Sequence, residues 1–187
     1  VFKSLALSLA STIRHDGNGG VADDLTELDG LTAWVRAEAD CLGNWARAYA
    51  ADEKTWSRVI EVRGAVRTLF AHAVNRTDQP RGPALKKLNS SASLVPVKLV
   101  LEWPDEAEPT VKAVAPDADP ALVLPAILAR AAIEFLGGPY RTELRACTAP
   151  RCVRYFVREH GRQEFCKPSC SNRARAARHY QKSQPGV

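Results

Sequence analysis

Apolar residues return at three- and four-residue steps over two long stretches of this 187-residue chain, the period of a helix with one buried face. Val59, Val62, Val66, Leu69, Phe70 and Ala73 predict a helix over about 54–76, flanked by Arg58, Arg63 and Arg67. Gly64 in its middle costs roughly 1 kcal/mol against alanine and marks either close packing or a weak point. The second stripe is Leu124, Leu128, Ala131 and Phe135. Asp119-Pro120 suits its start, Pro125 either kinks it or marks its true beginning, and Gly137-Gly138-Pro139 ends it. After Asp29-Gly30, the spacing of Leu31, Trp34, Val35, Cys41, Leu42 and Trp45 predicts a helix over about 31–48 with these residues towards the core. Pro83 can open a short helix through Leu88-Asn89. Elsewhere the period is two. Leu5, Leu7 and Leu9 alternate with Ala6, Ser8 and Ala10, which predicts a strand within residues 2–13. Leu94–Trp103 and Thr110–Ala115, joined by Pro104-Asp105-Glu106, predict a hairpin. The order is strand, helices, hairpin, helix. It implies an α+β fold, with a small antiparallel sheet of about three strands packed on helices. The break at Gly137–Pro139 divides the chain into residues 1–139 and a module over 140–187.

Charge sharpens that division. Residues 141–187 hold 11 Lys and Arg against 3 Asp and Glu, a net of +8, whereas residues 1–140 hold 15 against 18. A basic tail on a near-neutral body suits a polyanion partner, most simply nucleic acid; the plainer alternative is a solvated surface. Lys3 ahead of an apolar run raises the question of a signal peptide, but serines break the run and a strand fits better. The most apolar region, Ala121–Leu136, contains Pro125, Arg130 and Glu134, so no membrane span is expected. Asp16-Gly17-Asn18-Gly19-Gly20 is a turn without the Gly-Lys-Ser/Thr of a phosphate loop.

Four of the five cysteines form two close pairs, Cys147-x4-Cys152 and, after thirteen residues, Cys166-x3-Cys170. Each pair fits one tight turn, and the spacer lets the turns face each other, as one tetrahedral zinc ion requires. Two disulfides are the alternative. With all four ligands cysteine, no coordination position is left for water, so the site is expected to be structural. His160, between the pairs, is a lesser candidate ligand. Cys41, the odd one, is expected to be a buried small hydrophobe. This usage suits a reducing cytoplasm. The final helix is expected from about Pro168 to Lys182, with Arg175, Arg178 and Lys182 on one face and Arg173 in the first turn. These residues, together with Arg162, are candidate phosphate contacts; a surface helix with snorkelling arginines is the alternative.

The segment from Arg145 to Lys182 resembles the CGNR-type zinc finger. Cys170-Ser171-Asn172-Arg173 stands where that family has Cys-Gly-Asn-Arg, Phe165-Cys166 is its aromatic-Cys, and Phe156 is its buried aromatic. Ser171 replaces the glycine, Gln163-Glu164 replaces a usual pair of arginines, and basic Arg158 replaces an acidic residue. Residues ahead of the finger are similar to the ABATE-like domain of stress-induced transcription regulators. Ser11-Thr12, Val62-Arg63-Gly64 and Leu88-Asn89 stand at that domain's Asn-Thr, Leu-Arg-Glu and Leu-Asn.

The resemblance implies a zinc-containing, DNA-binding transcriptional regulator with one structural Zn²⁺ and a cytoplasmic location. It also implies an N-terminal domain that senses a small molecule or forms a homodimer. Thr12, Arg63 and Asn89 are its candidate ligand pocket; alternatively they satisfy buried backbone groups. Asn172 is expected to hydrogen-bond the knuckle backbone, and Arg173 either to brace a loop or to contact DNA. Two other classes stay open: a zinc-stapled protein-interaction module, and an enzyme with its site in the N-terminal domain. No HExxH, GxSxG or nucleotide-loop motif supports catalysis.

Overall fold

The computed structural model describes residues 3–114 and 119–183, and within these the side chains of 113, 114, 182 and 183 lie outside the description. The elements run α1 (Leu5–Ala10), β1 (Ile13–His15), β2 (Val21–Asp23), α2 (Leu28–Ala37), α3 (Ala39–Leu42), α4 (Glu53–Ala73), α5 (Gly82–Ser93), β3 (Lys98–Glu102), β4 (Thr110–Val114), α6 (Pro120–Gly137), β5 (Leu144–Ala146), β6 (Tyr155–Val157) and α7 (Pro168–Ser183). The fold is helix-rich α+β. Instead of one three-stranded sheet, the described residues form three separate antiparallel ribbons, β1–β2, β3–β4 and β5–β6.

Residues 5–10 are the main departure from expectation. They form a helix, not a strand, and bury Ala6, Leu9 and Ala10 at helical spacing. Six residues are too few to separate a period of two from 3.6, and this stretch holds only Leu, Ala and Ser, with no β-branched residue to favour a strand. The Phe2 and Ala115 ends of the expected strands lie outside the described residues. The expected helix over 31–48 is broken into α2, α3 and a 3-10 turn at Asn44–Ala48. Gly43 takes φ 102°, which redirects the chain. Cys41 and Trp45 are therefore exposed, contrary to their expected core positions.

Helix α4 is the central strut. Asp52 caps it, its carboxylate accepting from Thr55 N at 2.9 Å. Val59, Val62, Val66, Leu69 and Phe70 are buried against α5, α6 and α1. Fully burying each such side chain contributes about 1.5–3 kcal/mol relative to leaving it exposed. A Cβ built at Gly64 meets nothing, so the glycine is a weak point and not a packing requirement. Gly64→Ala should raise unfolding stability by about 0.8–1 kcal/mol in urea titration.

Helix α6 starts at Pro120, capped by Asp119 through Ala121 N at 3.0 Å, and runs on through Pro125. Contrary to expectation it is long and apolar enough to cross a membrane, with a mean hydropathy of 1.6 over 18 residues. Here it serves as a core helix. Leu124, Leu128, Ala129, Ala132 and Phe135 are buried in the bundle, and Arg130 donates to the carbonyls of Ala92 and Val95.

The core does not stop at the end of α6. Leu144 of β5 is buried in the same cluster, and Tyr155 and Val157 of β6 pack against it. The Phe70 ring stands 5.2 Å from Phe135 and 5.5 Å, edge to face, from Tyr155. Arg67 donates to Ala10 O at 2.6 Å and to Val153 O at 3.1 Å, with its guanidinium 5.4 Å from the centre of the Tyr155 ring. The C-terminal module is thus docked on the helical body.

Candidate metal centre

The two cysteine pairs are presented by different local devices. Cys147 follows β5 directly, its N–H bonded to Arg154 O at 3.0 Å. Cys152 N donates to Ala149 O at 3.0 Å, closing a turn in which Arg151 takes φ 61°. The second pair straddles the start of α7: Cys170 lies in its first turn, with its N–H on Lys167 O at 3.0 Å. Ser171, at the motif glycine, is an ordinary helical residue whose N–H donates to the same carbonyl. No left-handed backbone is needed there, so serine is accommodated.

The four Sγ atoms lie within 4.8 Å of one another. Cys152–Cys166, Cys166–Cys170 and Cys152–Cys170 stand at 3.9, 3.6 and 3.9 Å. A tetrahedron with Zn–S bonds of about 2.3 Å has edges of about 3.8 Å, whereas a disulfide needs about 2.05 Å. The geometry fits one metal ion and no disulfide. Cys147, Cys152 and Cys170 are buried and pack with Phe156, Phe165 and Ala149 in a small separate core. A hydrogen bond from the Cys166 thiol pushes that of Cys147 down to about 4, and the same contact pushes Cys166 up. Burial raises Cys170. Binding a divalent cation at these sulfurs would release the thiol protons. Cys166 N–H also points at Cys147 Sγ, 3.4 Å away. His160 is exposed and is not among the clustered ligands.

Around this centre the predicted basic residues divide. Arg173 is half-buried, donating through Nη2 to Cys170 Sγ at 3.5 Å and lying 3.3 Å through Nη1 from His15 Nδ1. Gly17 N–H donates to that same Nδ1 at 2.8 Å, which marks it as the lone-pair nitrogen. Arg173 thus lies between the metal site and β1 and is only partly exposed. Asn172, expected to bond the knuckle, is exposed and makes no side-chain hydrogen bond among the described residues; Arg173 takes the bracing place. Arg162, Arg175 and Arg178 are exposed. Arg175 reaches Ser171 Oγ at 3.3 Å and Arg178 reaches Ala174 O at 3.4 Å, both within α7. Lys182 is helical, but its side chain lies outside the described residues.

The expected pocket does not assemble. Arg63 holds Asp23 in a two-point ion pair at 2.5 and 2.7 Å and donates to Thr12 Oγ1 at 3.0 Å; Thr12 in turn donates to Leu9 O at 2.8 Å. Asn89 is exposed on α5 and does not join them. Sequence reasoning misses Asp23 because it misses β2. A signal exists in the Asp16–Gly20 turn, whose Asp16 Oδ1 accepts from Asn18 N and Gly20 N at 2.7 and 2.9 Å. Gly17 and Gly19 there take φ 95° and 105°. A groove of about 580 Å³ lies elsewhere, beside the metal centre, lined by Leu7, Tyr155, Val157, Phe165, Cys166 and Ser171 among others.

Comparison with known proteins agrees with this geometry. Residues 143–183 match the CGNR zinc finger, which covers all four clustered cysteines and the whole of α7. Residues 3–139 match the family described as "Putative stress-induced transcription regulator" (ABATE). No curated protein matches the chain. With four sulfurs set for one structural zinc ion behind a helical α+β body, the chain belongs to the ABATE family and carries a CGNR zinc finger.

Proposed function

We propose that this chain is a cytoplasmic, zinc-stapled transcription regulator whose α7 binds the DNA backbone. The observation that carries this reading is the setting of Arg175 and Arg178. They project from a helix whose first turn holds a metal ligand and no acidic residue, and neither has a carboxylate partner among the described residues. Cys170, as one of the four residues that would hold zinc, would fix the helix axis and so present the two guanidinium groups at a defined spacing for phosphate oxygens. Arg162 in the loop before Cys166 adds to the same cationic end. Arg173 acts one step back, holding the helix to the body through the thiolate and His15.

Fluorescence anisotropy of labelled duplex DNA across a salt series tests this. Log affinity should fall linearly with log salt. Arg175→Ala/Arg178→Ala should reduce the slope by about 1.8, which is about 0.9 for each of two phosphates no longer neutralised. A flat response in the zinc-loaded parent would overturn the reading and favour a protein partner for this surface.

A further inference from the structure

The ribbon of β3 and β4 stands apart from the rest of the fold. Among the described elements, its strands make extensive contacts only with each other. All five residues of β3 are exposed, and the ribbon's largest side chains face solvent, Leu99 at 73% and Trp103 at 69% exposure. Two strands alone are marginally stable in water, and an uncovered edge is a template for another strand.

The sequence of β3 says which strand that is. Lys98-Leu99-Val100-Leu101-Glu102 is self-complementary: read from either end, a charge, three apolar residues and the opposite charge follow. Antiparallel pairing of two copies about a two-fold axis at Val100 places Lys98 opposite Glu102 of the second copy, and does so twice. It sets Leu99 against Leu101 and Val100 against itself, favourable cross-strand pairs throughout. Glu102 already holds Lys112 of its own ribbon at 3.3 Å, so each carboxylate would lie between two ammonium groups. The other edge lacks this property, because self-pairing of β4 about its centre sets Lys112 against Lys112. Pairing β3 of one copy with β4 of the next leaves free edges and does not close.

We propose that this chain forms a homodimer by antiparallel pairing of β3 with β3 of a second copy, centred on Val100, giving a four-stranded sheet. The inference goes beyond the DNA-binding reading and does not rest on it. The dimer presents two zinc-fixed basic helices on one assembly.

The test uses the full zinc-loaded chain in sedimentation velocity without DNA. The parent should sediment as a concentration-dependent dimer. Lys98→Glu, which sets like charges opposite each other twice, should weaken it by about tenfold or more. Lys98→Glu/Glu102→Lys/Lys112→Glu, which inverts every charge and keeps the complementarity, should restore it. Val100→Cys in a Cys41→Ser background should cross-link with oxidised glutathione, and peptide mass spectrometry should place the disulfide at the substituted position of both chains. Unchanged zinc content and circular dichroism confirm that the variants fold. A parent that is monomeric at all accessible concentrations, or a dimer indifferent to Lys98→Glu, overturns the proposal, as does absence of the cross-link.

Discussion

Cys170→Ser is expected to cost the chain its stoichiometric zinc and to melt α7 while leaving the helical body folded. Structural zinc sites contribute on the order of 10 kcal/mol to local folding, and this one holds both halves of a knuckle with little else behind it. Its companion core contains the cysteines, Ala149, Phe156 and Phe165, too small to stand alone. Helix α7 is 16 residues long, and most of its described side chains face solvent; among them Cys170 and Ala174 are buried. A polar helix of that length is marginal without tertiary support. The body has its own core, and all four tryptophans fall between residues 34 and 103, clear of the finger. The expected signature is therefore divided: far-ultraviolet ellipticity falls by about α7's share of the helix, while tryptophan fluorescence stays near that of the parent. A chelator should do the same to the parent chain. Full helicity without bound zinc would sink the metal-clamp account. A tryptophan signal that collapses together with α7 would show that finger and body fold as one unit.

The metal site was legible because its chemistry is carried by residue type and spacing along a short stretch, and the sulfur geometry follows from both. The long helices α4 and α6 were legible for a related reason: five turns of stripe distinguish 3.6 from 2, which six residues at 5–10 do not. Other features depend on contacts between distant segments, and no local pattern encodes them. Nothing near Arg173 in the sequence points to His15, which β1 brings to 3.3 Å from its guanidinium. Arg63 and Thr12 do meet, but they meet at Asp23, on a three-residue strand too short to show alternation. Asn89 shares a motif with its relatives and no site with Arg63. Cys41 and Trp45 fit a helical wheel that Gly43 interrupts, so their apolar character does not tell which way they point.

Breaking the Asp23–Arg63 pair from the Asp23 side should be the costliest single polar change in the body, because it strands a buried charge. The Arg63 side chain is only 6% exposed and both of its terminal nitrogens end on the carboxylate of Asp23, which is 29% exposed. Asp23→Ala leaves a guanidinium in the core with only Thr12 Oγ1 for company, and should lower unfolding stability by about 3–5 kcal/mol. Arg63→Leu leaves a carboxylate that can still reach water, so its cost should be smaller. The double substitution should cost less than the sum of the two. The pH dependence has a definite sign. The bonds from Arg63 hold the Asp23 carboxyl below its ordinary value of 3.8, against the opposing effect of burial. A carboxylate with a lowered folded-state pKa stabilises fully above 3.8 and ceases to do so as pH falls through the folded-state value. Urea titrations of parent and Asp23→Ala should thus differ by a constant amount near neutrality and converge in acid below that range. A gap that persists there would assign the loss to packing of the β1–β2 ribbon on α4, because a protonated Asp23 no longer supplies the charge. The same ribbon carries His15 to Arg173, so weakening it at Asp23 should also loosen the brace on the zinc centre, seen as faster zinc transfer to a chelator at neutral pH.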